Sequence, residues 1–386
     1  MMSSVWGYKS LEDVCSLITD GSHFSPKTSS IGDFPYITVR DIRGTDVDFS
    51  KCQFVNEVAF KELQKTGCQP ELGDVLFSKD GTVGKVAIVK DSRPFVVLSS
   101  LAILRPNPDL VTPGFLAYVL QSPTVLENAL GMKTGTAIRR VVLRNLKKLV
   151  FPLPPLDEQK RIVEVLEDHL SRLDKARAKI AIARGKLFIL ERAVLHDSLT
   201  SIANESEVVD FSDFFAVVQP RFEGYKQRDY QSKGVLPIVD QGRALVGGYI
   251  SETTRRHSVQ KPLVIFGDHT RCVKFIDFDF ALGADGTKML EPQEGVDSKF
   301  AYWQLRGKEL RNRGYARHMG ELRKERFWLP GFKTQQEMSQ RVEKAFDYVN
   351  RLRSDLENQE KALEALRRSL LHSTFSGEKE GSKADE

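Results

Sequence analysis

The sequence predicts a mixed α/β fold of two globular α+β parts, each followed by a long helix. The helices pair as an antiparallel coiled coil, and the halves are related by a pseudo-two-fold internal repeat. Three observations predict this. A block of about 47 residues occurs twice without a gap, Pro154–Thr200 and Pro330–Ser376, at a constant offset of 176. Both copies carry apolar residues every seventh position in one shared register. A cluster of basic residues precedes each copy. The period is too long for a solenoid, so the repeat means two similar halves.

The first half, residues 1–152, reads as strands and turns around a helix. Pro35 to Val39 and Gly84 to Val89 have the composition of strands, and Pro113 to Leu120 that of a helix. Gly73 to Lys85 reads as strand, glycine turn, strand. Gly81-Thr82-Val83-Gly84-Lys85 is no phosphate loop, since four residues should separate the glycines and Ser or Thr should follow the lysine. A β-hairpin turn is the default reading, with Lys79 and Lys85 near its tip as candidate DNA contacts.

The central helix occupies 153–204. Pro154-Pro155 stops the preceding chain, Asp157 can cap, and no proline follows. Its apolar row is Leu166, Leu173, Ile180, Leu187 and Val194, and His169 falls at a companion seam position as a packed residue. The second globular part, 205–329, has a strand-and-turn segment at Pro262 to Arg271 comparable to Gly73–Lys85. The last helix, 330–376, starts at Thr334-Gln335-Gln336-Glu337, which has capping-box spacing. It repeats the row as Val342, Val349, Leu356, Leu363 and Leu370. A seven-residue period sustained this long specifies a left-handed coiled coil. Residues 377–386 form a disordered tail on composition.

With 386 residues and 41% apolar content there is room for more than one core. No apolar run approaches the ~20 residues that span a bilayer. Cys15, Cys52, Cys68 and Cys272 have neither metal-ligand spacing nor the look of a disulfide framework, and a cytoplasmic location is expected.

Charge distribution says more than the net +5. Residues 1–153 hold 18 basic and 15 acidic side chains, and 204–330 hold 20 and 18. Lys133, Arg139, Arg140, Arg144, Lys147 and Lys148 run without an acid among them. In the second part Arg306, Lys308, Arg311, Arg313, Arg317, Arg323, Lys324 and Arg326 face only Glu309, Glu321 and Glu325. One such cluster is equally well a solvated face. Two at corresponding places point to phosphate contact. The candidate DNA contacts are therefore Lys79, Lys85, Lys133, Arg139, Arg140 and Arg144 in the first half, and Arg271, Arg313, Arg317, His318 and Arg323 in the second.

Several stretches resemble the specificity subunits of type I restriction–modification systems. Pro152-Leu153-Pro154-Pro155-Leu156-Asp157-Glu158-Gln159-Lys160-Arg161-Ile162-Val163 is similar to the signature that opens their central helix. Ile18 to Lys27, Gly73 to Ser78, Gly135 to Arg140 and Gly314 to His318 are similar to other family segments. The second signature departs, with Gly331 for Pro155 and Thr334 for Glu158. The resemblance implies two target-recognition domains, each reading half of a bipartite double-stranded DNA sequence, joined by an antiparallel helical spacer. It implies a non-catalytic chain with no cofactor of its own. Its partners would be two adenine methyltransferase subunits, which bind S-adenosylmethionine, and nuclease–translocase subunits using ATP and Mg. No Asn-Pro-Pro-aromatic, Walker A or His-Glu-x-x-His motif occurs. A coiled-coil adaptor holding two protein-binding domains, or the specificity subunit of a methylation-only system, remain alternatives on sequence.

Overall fold

The computed structural model describes residues 6–131, 140–284, 286–311, 314 and 316–375. The chain divides into two compact units, one of the residues up to Lys179 with those from Gln359 onward, the other Ile180–Asn358. Both boundaries fall inside the long helices, so each unit holds one globular part and a stretch of each helix.

Unit 1 opens with β1 (Gly7–Ser10), the single-turn α1 (Leu11–Val14) and β2 (Cys15–Asp20). The short strands β3 (Phe34–Ile37), β4 (Ile42–Arg43), β5 (Asp46–Val47) and β6 (Gln53–Val55) precede α2 (Glu57–Gln64). Next come β7 (Val75–Ser78), β8 (Val86–Ile88), β9 (Val96–Val97) and β10 (Leu101–Pro106). α3 (Pro113–Gln121), α4 (Pro123–Gly131), α5 (Leu143–Lys147) and β11 (Val150–Leu153) lead into α6 (Leu156–Thr200). The main sheet has the order β2-β10-β7-β8. Its inner strand β10 begins with four fully buried apolar residues, Leu101–Leu104, a run expected of a strand covered on both faces. β1 pairs with β11 where the chain enters and leaves the globular part. α3 is apolar all round, with Phe115 to Leu120 buried, and so forms the centre of the core rather than a surface helix.

Unit 2 repeats this wiring. β12 (Glu207–Asp210), α7 (Phe211–Phe214), β13 (Phe215–Val218), β14 (Leu236–Val239) and β15 (Gly248–Ile250) come first. β16 (Leu263–Gly267), β17 (Val273–Ile276), β18 (Ala281–Leu282) and β19 (Thr287–Pro292) follow. α8 (Ser298–Arg306), α9 (Met319–Leu322) and β20 (Arg326–Leu329) then lead into α10 (Phe332–Phe375). β12 pairs with β20, and the main sheet runs β13-β19-β16-β17, the counterpart of the first. A parallel strand pairing recurs as well, β3 with β9 and β14 with β18.

Each long helix is tied to its globular part by a buried glutamine of the repeat. Gln159 Nε2 donates to the carbonyls of Leu110 (2.8 Å) and Pro154 (2.9 Å), while its Oε1 accepts from the Thr112 N–H (2.9 Å). Gln335 does the same with Gly295 (3.0 Å), Pro330 (2.9 Å) and Asp297 (2.8 Å). Thr112 and Asp297 are the N-caps of α3 and α8, so one carboxamide joins the long helix, the chain before it and the core helix. α6 starts at Leu156, which puts Asp157 in the first turn rather than at the cap. There its charge still complements the helix N-terminus. α10 starts at Phe332, so Thr334 also lies inside the first turn.

The helices run antiparallel within each unit. In unit 1 Arg177 Nη2 lies 3.4 Å from Glu364 and Arg367 lies 3.7 Å from Asp174. In unit 2 Arg353 pairs with Glu191, and Arg341 donates to Ser201 Oγ at 2.7 Å. The apolar row behaves as its register requires. Leu166, Ile180, Leu187, Val342 and Val349 are buried, and Leu173, Val194, Leu356, Leu363 and Leu370 are half-buried. His169 is exposed, so its placement as a packed seam residue is corrected. The companion row is open at Leu190 and Leu366 as well, each at least 40% exposed.

Replacing Gln159 by Leu orphans one buried N–H and removes one partner from each of two carbonyls. Q159L should lower the unfolding free energy by about 2–4 kcal/mol, and Q335L by a comparable amount. Urea denaturation of the two variants checks this, and a loss under about 0.5 kcal/mol in both would remove the clamp from the account.

Candidate nucleic-acid interface

In unit 1 the hairpin between β7 and β8 is shaped by its own groups. Ser78 Oγ donates to the Thr82 carbonyl (2.6 Å) and accepts from the Lys85 N–H (2.7 Å). Gly81 and Gly84 supply the positive φ values, 69° and 97°, that such a turn needs. A chain of charges connects this hairpin to its neighbours. His23 Nε2 lies 3.4 Å from Asp20, and Asp20 lies 3.3 Å from Lys79 Nζ. Lys79 lies 3.6 Å from Asp80, and Asp80 is 3.0 Å from Arg140 Nε. Asp80 and Arg140 also form an antiparallel bridge. The chain ends in two accessible basic side chains, His23 with 66% and Arg140 with 51% of the side chain exposed.

The middle of that chain is not accessible. Lys79 is 1% exposed, which corrects its placement at the hairpin tip as a DNA contact. Its ammonium lies between two carboxylates under the hairpin. Lys85 is corrected too: it is half-buried, and its Nζ donates to the carbonyls of Val39 (3.1 Å) and Ile42 (3.5 Å), holding the turn after β3. Arg144 is exposed on α5. Lys133 and Arg139 lie outside the described residues.

Unit 2 builds the corresponding place with other chemistry. The Val141 N–H donates to the Lys79 carbonyl in unit 1, and the His318 N–H donates to the Asp268 carbonyl in unit 2. Asp268 thus takes the position of Lys79, His318 that of Val141, and Arg317 that of Arg140. Asp268 is 2% exposed, and its Oδ1 accepts from the N–H groups of His318 (2.8 Å) and Met319 (2.7 Å). His318 is fully buried with Nδ1 2.9 Å from the Asp268 carbonyl oxygen, which corrects its reading as a phosphate contact. Arg317 and Arg323 are exposed. Arg271 is half-buried, and its Nη1 donates to the Leu310 carbonyl (2.9 Å). Arg313 lies outside the described residues.

The sequence reading missed a glycine-rich loop in unit 2, residues 240–248. Asp240 anchors it, accepting from the Gly242 N–H (2.8 Å) and lying 3.4 Å from Lys274 Nζ. Lys274 is 4% exposed, and burial holds its ammonium below the ordinary lysine range although Asp240 pulls the other way. Burial, then Asp240, push the Tyr230 hydroxyl above the usual tyrosine range. The loop carries Arg243, exposed at its bend. Its sequence signal was available in Gly242, Gly247 and Gly248 around one arginine.

What the geometry offers is therefore exposed guanidinium groups, Arg140 and Arg317, at equivalent positions beside a rigid hairpin base. Guanidinium suits phosphate and base edges because its planar donor fork matches both. Among the described residues there is no group of three or more His, Cys, Asp or Glu placed to hold a metal ion. Nor is any helix among them long and apolar enough to cross a membrane.

Each half thus carries an exposed arginine beside a hairpin base and leads into a long helix. Residues 3–183 match the type I restriction modification DNA specificity domain, the family that the sequence resembles. Among its relatives is the putative type I restriction enzyme MjaX specificity subunit of Methanocaldococcus jannaschii. It is 24% identical over 328 residues, covering 78% of this chain and 75% of the relative. The type I restriction enzyme EcoKI specificity subunit of Escherichia coli K12 is 22% identical over 384 residues, covering 89% and 82%. A solved chain from work on complex assembly and conformational transition of the type I R-M system shares the fold. It aligns over 97% of this chain and 98% of its own with a TM-score of 0.73 at 16% identity.

Removing Lys79 takes away the buried cation between Asp20 and Asp80, leaving Asp80 with Arg140 and Asp20 with His23. K79M should lower the unfolding free energy by about 3 kcal/mol, while R140A, at a half-exposed pair, should change it by less than about 0.5 kcal/mol. Thermal and urea denaturation distinguish the two. Equal small effects would return Lys79 to the surface.

Proposed function

We propose that residues 1–152 and 205–329 each read one half of a bipartite double-stranded DNA sequence. The chain is a type I restriction–modification specificity subunit, and in this reading it is the recogniser rather than the catalyst. It recruits two adenine methyltransferase subunits and the nuclease–translocase subunits in the cytoplasm. S-adenosylmethionine, ATP and Mg then belong to those partners. The observation that carries the reading is the equivalence of Arg140 and Arg317, exposed at matching positions of two hairpin-based sites with the same backbone wiring. Two copies of one framework with different side chains at the tips suit two different half-sites. Phosphate contacts give such a protein its register, and base-edge contacts its sequence.

R140A and R317A, each assembled with the methyltransferase, should weaken DNA binding and each lower the salt slope of log K by about one. Fluorescence anisotropy across a salt series measures this. An unchanged slope in both would take these arginines out of the phosphate contact.

Replacing residues 1–152 with the matching segment of another specificity subunit should change one half of the methylated sequence and leave the other. Methylome sequencing of cells expressing the hybrid and its methyltransferase reads the result. Alteration of both halves in an active hybrid contradicts independent readers.

A further inference from the structure

The two units share their main sheets, and one place where they differ is the connection that leaves the core helix. In unit 1 the connection from α3 to β11, residues 122–149, contains α4. In unit 2 the connection from α8 to β20, residues 307–325, is shorter, and among its described residues only the single-turn α9 is helical.

Three neighbours fix α4 in place. Leu126 lies over Gly84, where an added Cβ would come within 2.6 Å of Leu126 Cδ1. Thr124 Oγ1 is 3.0 Å from His372 Nδ1. Val125 and Ala129 are buried in one cluster with Phe77, Leu371 and Phe375.

Each neighbour has a counterpart in unit 2. The Gly84 N–H donates to the Ser78 carbonyl and the Ser78 N–H to that of Lys85. The Arg271 N–H donates to the Gly267 carbonyl and the Gly267 N–H to that of Cys272 in the same pattern. Arg271 therefore stands where Gly84 stands, and it too has a left-handed backbone, with φ of 60°. By the offset of 176, His196 and Leu195 stand for His372 and Leu371. Arg271, His196, Leu195 and Phe266, the last in place of Phe77, line one cavity of about 740 Å³. It corresponds to the α4 site, and no helix of the described residues occupies it.

The remaining lining indicates the occupant. Arg306 and Arg311 border the cavity, as does Lys308, which pairs with Glu325 at 3.4 Å. Its two acids are engaged, Glu191 with Arg353 and Glu309 with Arg192. Arg306 is held over the rings of Phe346 (4.6 Å) and Trp303 (5.3 Å), which keeps a cation at the edge. Apolar floor and basic rim together match a helix with one apolar face and an acidic flank. A DNA backbone would use the rim and leave the floor without a partner.

We propose that this cavity in unit 2 is a docking slot for a short amphipathic helix of a partner chain, acidic on its flank. It would supply to the second half what α4 supplies to the first. The proposal does not rest on the reading of DNA half-sites.

The test uses the full chain and two probes. One is a fluorescent peptide of the α4 sequence, Pro123–Gly131, carrying Asn128→Glu on its exposed side and stapled to hold it helical. The other is a short duplex oligonucleotide. The peptide should bind, and R306Q/R311E should weaken it about tenfold. His196→Trp, which fills the slot without changing the rim, should abolish binding while the melting curve stays that of the parent. Should the double variant fold poorly, R311Q and His196→Trp carry the same comparison. Peptide binding that is absent, or indifferent to all these variants, overturns the slot. A duplex that loses affinity in the rim variants while the peptide never binds overturns it in favour of a phosphate groove.

Discussion

Gln159 and Gln335 use a buried carboxamide as a three-way joint, and the rest of each half depends on that joint. The side chain reaches the segment that caps the core helix, the proline-bounded chain before the long helix, and the helix itself. No apolar residue could do this, because burying the N–H and carbonyl groups it satisfies without partners is costly. The constraint is amplified by length. A tilt of about 10° at the base of a helical stretch ~36 Å long displaces its far end by ~6 Å, more than a coiled-coil register tolerates. Fixing the exit of the helix from the sheet is thus a precondition for Leu166 and Leu173 finding their places in unit 1, and for Val342 and Val349 in unit 2.

The helices were legible because their information is one-dimensional. A period of seven read along the chain is enough to name the apolar row, and all ten of its members are buried or half-buried. The companion row was less legible, with His169, Leu190 and Leu366 exposed where a symmetrical seam would cover them. A pair of helices covers one row and leaves the second at the edge of the contact, so a heptad pattern overstates how much it buries. The clamp itself had a signal that motif matching obscured. Pro155 and Glu158 change between the two copies, whereas Gln159 and Gln335 are identical. Within a repeat, the residue that stays while its neighbours drift is the one with a fixed geometric task.

The site was less legible because the fate of a charged side chain is set by residues far away in sequence. Lys79 follows a buried strand and precedes a glycine turn, which locally reads as an exposed tip. Asp20, at the end of β2 two strands across the sheet, decides otherwise by drawing the ammonium beneath the hairpin. His318 was misread for the same reason. Its neighbour Arg317 is exposed, but Asp268, 50 residues earlier, gathers the backbone of His318 and seals the ring in. In both halves the residue on the rigid base was mistaken for the one on the surface, and the adjacent or bridged arginine was the accessible group.

Comparing the halves separates frame from reader. The backbone hydrogen bonds at the hairpin base are the same in both, while the side chains that occupy them are not: Lys79 against Asp268, Gly84 against Arg271, Val141 against His318. A buried cation exchanged for a buried anion requires every partner to change sign or kind. Asp20 and Asp80 accordingly give way to backbone N–H donors from His318 and Met319. Such a substitution cannot be made one residue at a time without leaving a charge unpaired in the interior, which costs several kcal/mol at each step. Each half is therefore a separately balanced solution on a common backbone. A change at a hairpin tip leaves that balance alone, whereas a change at the base forces the whole polar cluster to be rebuilt, so variation in what the two sites bind is physically confined to the exposed tips and the loops around them.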